Sequence, residues 1–97
     1  MAKDWTTEEV TLIVNDYFEM LLKEIADANY MKISHSKNLQ KQLNNRTIGS
    51  IEFKHQNISA ILIEIGLPYI DGYKPLGNYQ NLLKEEVLRY IEKHPGI

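Results

Sequence analysis

Apolar residues return at a helical period along most of this chain. From Val10 they recur at Ile13, Val14, Tyr17, Leu21 and Ile25, with Phe18, Met20 and Leu22 widening the stripe. That is one face of an amphipathic helix. Its start is written in "WTTEEV": Thr6 is an N-cap and Glu9, three residues on, completes a capping box. Trp5 precedes the cap as a staple partner for Val10, and Glu8 and Glu9 favour the positive end of the helix dipole. The spacing predicts a helix from Thr7 to Ala26, ended by Asp27–Asn29. A second, shorter helix is expected over "KNLQKQLNN", capped by Ser34 or Ser36. It has only Leu39 and Leu43 to bury, and shows Lys37, Gln40 and Lys41 on a wide polar face.

Gly49 is expected to turn the chain and Ser50 to cap a third helix. There Ile51, Ile58, Leu62 and Ile65 share a face, with Ile61 at its border. Gly66 is a natural C′ residue and Pro68 bars continuation. "LPYIDGYKPLGNYQ" reads as an ordered loop whose tyrosines and Leu76 cover the edge of the core. Asn78 then caps a fourth helix, Tyr79 to Lys93, with Leu82, Leu83, Val87, Leu88 and Ile91 apolar. No alternating strand pattern and no repeat interrupts this order. The expected fold is all-α: a compact four-helix domain in which helices two and three form a helix-turn-helix-like unit.

Composition narrows the picture. Ninety-seven residues make one small domain, and 43% hydrophobic with 25% charged residues make it globular. With no cysteine there is neither a disulfide nor a thiolate zinc site, which fits a reducing, cytoplasmic setting. The N-terminus "MAKDWTTEEV" is polar and carries no signal-peptide pattern. The longest apolar run, "ISAILIEIGLPYI", is broken by Glu64, Gly66 and Pro68, so no membrane is expected as a partner. The formal charge of −2 is unevenly spread: residues 1–30 carry a net −5, residues 31–56 a net +4 and residues 57–97 a net −1. A basic middle third suits a phosphate backbone, and equally suits packing beside the acidic first helix.

Catalysis finds little support. His35, His55 and His94 stand in no metal-binding spacing. A site joining His35 and His55 would need an acid that the basic middle third barely offers. "GSIEFK" lacks the spacing and the Lys-Ser/Thr ending of a phosphate loop. No catalytic residue, metal or cofactor is expected. Binding is better supported: a short basic helix enters a turn with Arg46, Thr47 and Ser50, and the next helix opens with Glu52, Lys54, His55, Gln56 and Asn57. A recognition helix keeps its base- and phosphate-contacting side chains there. The candidate DNA contacts are Lys37, Lys41, Arg46, Thr47, Ser50, Lys54, Gln56 and Asn57.

"RTIGSIEFKHQNISAIL" followed by "GLPYIDGYKPLGNYQ", behind an opening W-T-x-E-E, resembles the N-terminal head domain of McrA-like type IV restriction endonucleases. The same module is similar to the leading segment of many bacterial defence proteins. The resemblance spans residues 4–93. Arg46, Ser50, Lys54, Asn57 and Ser59 match the first motif, and Gly72, Tyr73, Lys74, Pro75, Asn78 and Gln80 the second. It implies an all-helical, non-catalytic accessory domain placed ahead of modified-base-reading and nuclease domains. Residues 1–97 would then be the N-terminal fragment of a longer anti-phage defence protein. The expected function is DNA binding, weak for this domain alone. The alternative is a protein-interaction or homodimerisation module, for which Phe53, Ile63, Tyr69, Phe18 and Met20 supply surplus apolar surface.

Overall fold

Four helices follow one another in a computed structural model that describes residues 4–96: α1 (Thr7–Ile25), α2 (Lys32–Gln42), α3 (Ile48–Glu64) and α4 (Asn81–Lys93). No strand occurs among the described residues. The protein is all-α, and its radius of gyration of 12.5 Å is that of a compact chain of this length. α1 packs on all three other helices, and α3 on α2 and α4, while α2 and α4 do not meet. No described helix is long and apolar enough to cross a membrane.

The capping box at α1 forms as its spacing predicts. Thr6 Oγ1 accepts from the Glu9 amide at 3.2 Å, and Glu9 Oε1 accepts from the Thr6 amide at 3.0 Å. α1 stops at Ile25, with Ala26 as C-cap and Asp27 in the left-handed region at φ 57°. At the end of α3 the Leu67 amide donates to Leu62 O and the Gly66 amide to Ile63 O. This is a Schellman closure, and Gly66 takes the φ of 77° it requires.

Three helix starts differ from the sequence expectation. α2 begins at Lys32, one and a half turns early, and its N-cap Met31 makes no side-chain cap. Tertiary contacts fill the added turn: His35 bonds Asp16, Ser36 is fully buried, and Lys32 Nζ donates to Gly72 O at 2.9 Å. α2 also ends before Asn44, and Asn45 at φ 54° turns the chain. α3 is capped by Thr47, not Ser50. Thr47 Oγ1 accepts from the Ser50 amide, and Gly49 lies inside the first turn. α4 begins at Asn81 after Gln80, while Asn78 sits at φ 57° in the preceding loop.

The core joins Trp5, Ile13, Tyr17, Phe18, Met20, Leu39, Ile51, Ile58, Ile61, Leu62, Ile70, Tyr73, Leu83 and Val87, all buried. Phe18 stacks on Tyr90 with ring centroids 4.1 Å apart, fixing α4 on α1. Phe18 and Met20, expected as surplus surface, are therefore core. Leu22, Ile25 and Leu88, expected inside, are exposed. They lie where the four-helix packing leaves the C-terminal end of α1 and one face of α4 uncovered. Leu76, expected to cover the core's edge, is exposed as well.

Candidate functional site

The eight candidate DNA contacts fall into three environments. Lys37 and Lys41 stand exposed on α2. Arg46, Thr47, Ser50 and Lys54 gather at the start of α3. Asn57 is 1% exposed and faces the core, with Gln56 half-buried beside it.

Arg46 is spoken for. Its Nε donates to Glu9 Oε2 and its terminal Nη2 to Glu9 Oε1, both at 2.9 Å, in the bidentate form guanidinium prefers. Nη2 also reaches Asp4 O at 3.1 Å. The buried Glu9 carboxylate takes the Asn44 amide as well, so one side chain ties α1, the α2–α3 turn and Arg46 together. Arg46's hydrogen bonds, opposed by burial and helped by the Thr6 and Asn44 amides, hold Glu9 down at about 2. At this point the basic segment packs on the acidic helix. Lys37 and Lys41 are exposed instead.

Beside this pair lies a solvent-open recess of about 480 Å³. Asp4, Trp5, Arg46, Ser50, Lys54, Asn78, Tyr79 and Gln80 line it. Gln80 Nε2 donates to Trp5 O at 3.0 Å, joining the start of α4 to the start of α1. The indole carries Arg46 Cζ at 4.9 Å and Lys54 Nζ at 5.5 Å from its centroid. Burial, with Arg46 nearby, pushes Lys54 below the ordinary lysine range, and an anion in the recess would reverse that. The first amides of α3 carry the positive end of the helix dipole toward the same corner.

Asn57 works inward. Its Nδ2 donates to Gly77 O at 3.1 Å and also to Leu76 O, and the Leu76 amide donates to Gln56 O at 3.2 Å. Ser59 is buried against the Tyr17 hydroxyl. The two sequence motifs are therefore docked on each other: the first grips the loop that carries the second. Asn57, Ser59 and Gln80 all have internal hydrogen-bond partners that explain their residue types.

A second polar site was not legible from the histidine spacing. The acid thought missing between His35 and His55 comes from α1. Asp16 Oδ1 lies 2.7 Å from His35 Nδ1, and Asp16 Oδ2 lies 3.3 Å from His55 Nε2. The second pair is misaligned for a hydrogen bond, leaving both His55 nitrogens and Asp16 Oδ2 without one. Burial drives His55 toward its neutral form against the pull of Asp16. Burial also opposes ionisation of Asp16, but the two imidazoles together outweigh it and keep the carboxyl below its usual range. The only advance signal was Asp16 on the polar edge of the first helix stripe, and nothing in the sequence says which histidine it meets.

No protein-family model, curated protein or solved structure matches this chain.

Proposed function

We propose that this chain is a non-catalytic DNA-binding accessory domain of a bacterial restriction or defence protein, with helices α2 and α3 used as a helix-turn-helix-like unit. The supporting observation is the recess at the start of α3, where Arg46, Ser50 and Lys54 meet beside Trp5 and Tyr79. The resemblance of the two motifs to type IV endonuclease head domains points the same way. Within this reading the eight residues have unequal duties. Lys37 and Lys41 neutralise phosphates from the exposed face of α2, and Lys54 does so at the rim of the recess. Ser50, Gln56 and the first amides of α3 contact the backbone or a displaced base. Arg46 and Asn57 shape the surface from within, and Thr47 caps α3 at its edge.

The test follows from that division. Arg46 cannot be the probe, because removing it strips Glu9 of its counter-ion. Fluorescence anisotropy with plain and base-modified duplex at low salt, on the wild type and a Lys37→Ala/Lys41→Ala/Lys54→Ala triple variant, is the direct measurement. The triple variant is expected to bind at least about tenfold more weakly and to lose roughly two to three units of salt slope, one per phosphate contact. Equal binding by both proteins, or none by either, removes the reading.

A second reading, protein interaction, rests on a different observation. Phe53, Gln56, Ala60 and Ile63 form one stripe of α3 by their 3–4 spacing, with Phe53 44% and Ile63 46% exposed. On this reading the wild type sediments as a dimer at high concentration. A Phe53→Asp/Ile63→Asp variant sediments as a monomer, with melting moved by no more than about 0.5–1 kcal/mol. A wild-type monomer at all concentrations defeats it.

A further inference from the structure

We propose that the cleft between α1 and α2 binds a divalent transition ion of the zinc type through Asp16, Glu19 and His35. Asp16 and Glu19 are three residues apart on α1, so they present their carboxylates on one face. His35, in the first turn of α2, closes the third side. One ligand atom from each of the three lies within 4.8 Å of the others. Bonds of about 2.0–2.2 Å from a central ion to its ligands span a set of that size once Glu19 swings in. Glu19 is free to do so: its side chain is 60% exposed and its salt-bridge partner Lys23 sits at 3.9 Å, itself 41% exposed. The cleft has a volume of about 410 Å³ and opens to solvent, so water completes the coordination.

His55 supplies the independent observation. It is fully buried, and its Nε2 points at the back of Asp16 from 3.3 Å without a hydrogen bond. Asp16 Oδ2 is equally without one. Buried polar atoms in native proteins are almost always satisfied. An ion on Asp16 Oδ1 takes the place of the hydrogen shared with His35 Nδ1 and turns the carboxylate. Oδ2 then accepts from His55 Nε2–H, the outer-shell arrangement that orients a ligating carboxylate. One binding event thus satisfies two of the three orphan atoms, Asp16 Oδ2 and His55 Nε2, and leaves only His55 Nδ1.

The donor set selects the ion. One imidazole with two carboxylates suits Zn²⁺, Co²⁺ or Mn²⁺, whereas Mg²⁺ and Ca²⁺ prefer oxygen alone and soft Cu⁺ prefers the thiolates this chain lacks. Nothing in the inference depends on DNA, and its test uses none. Tag-free protein is titrated with ZnCl₂ by calorimetry and with CoCl₂ by visible absorption, with MgCl₂ as the control ion. The wild type is expected to bind Zn²⁺ with one ion per chain and to give a Co²⁺ d–d band that Mg²⁺ does not displace. Glu19→Gln, at an exposed position that leaves the fold intact by circular dichroism, is expected to weaken Zn²⁺ at least about tenfold, and His35→Gln more. His94→Gln, outside the cleft with Nδ1 against Tyr90 O, is expected to change nothing. Absence of wild-type binding overturns the proposal. So does Zn²⁺ affinity unchanged in Glu19→Gln, or lost in His94→Gln. Should His35→Gln fail to fold, Glu19→Gln alone decides.

Discussion

Replacing Arg46 by alanine is expected to destabilise the protein by about 3–5 kcal/mol, the usual cost of stranding one member of a buried ion pair. Glu9 is 2% exposed and also anchors the Thr6 and Asn44 amides. It can neither reach water nor drop its charge without loosening the α1 cap and the α2–α3 turn together. For a domain of this size, about 4–8 °C of melting temperature goes with each kcal/mol, so urea and thermal melts both resolve the effect. The pair also sets an acid limit. Glu9 is held at about 2 against its ordinary 4.5, so its stabilisation is complete above pH 4.5 and fades as the pH falls from there toward 2. The full loss amounts to about 3 kcal/mol, matching the lower end expected for the substitution. A Glu9→Gln variant is expected to start less stable at neutral pH and to lose less over that window. The decisive comparison is the double variant Glu9→Leu/Arg46→Met. If apolar packing replaces the pair, it recovers most of what either single change loses. A double variant no better than Arg46→Ala would mean that the Asn44 and Thr6 bonds, not the charges, hold this corner.

The same corner shows why the sequence yielded the helices more readily than the site. The apolar spacing of α1 and the Thr6–Glu9 box are local, and they predicted a cap that the structure reproduces atom for atom. Gly66 is local too, since a Schellman closure needs a left-handed residue one place after the C-cap. The misplaced helix starts have nonlocal causes. Ser34 or Ser36 could have capped α2, but the helix starts at Lys32 without either, where His35 meets Asp16 of α1, Lys32 meets the Gly72 carbonyl and Ser36 is buried. Arg46 looked like a phosphate ligand because its partner lies 37 residues away. Asp16, His35 and His55 belong to three helices, and no spacing rule reports that they share one carboxylate. The pairing of the two sequence motifs was visible, but its reason is Asn57 reaching across to the Leu76 and Gly77 carbonyls.

That loop has a deeper anchor, and Tyr17→Phe is expected to release it at a cost of about 1–3 kcal/mol. Tyr17 is fully buried in the middle of α1. Its hydroxyl accepts from the Ile70 amide at 2.9 Å and lies 2.7 Å from Ser59 Oγ. With Ile70 as donor, the phenol's own proton goes to Ser59, and burial pushes its pKa up to about 12, so it is protonated at neutral pH. Phenylalanine keeps the ring and its packing but leaves the Ile70 N–H and the Ser59 hydroxyl facing apolar neighbours. The Ile70 amide has no helix to rejoin, so the loss is larger than one exchanged hydrogen bond. It is also local: the Asp71 amide on Glu24 and the Asn57 bonds hold the loop on either side. Amide exchange is therefore expected to speed most at Ile70 and Tyr73, whose N–H donates back to Ile70 O, and least in α1. Ser59→Ala should cost less, because the phenol still accepts from Ile70, and the double variant should cost less than the sum. Additive losses would mean that the Tyr17–Ser59 contact contributes no net stability and that the phenol acts through Ile70 alone. A Tyr17→Phe variant as stable as the wild type would mean that water replaces the phenol, which requires an opening between α1, α3 and the loop that their packing does not leave.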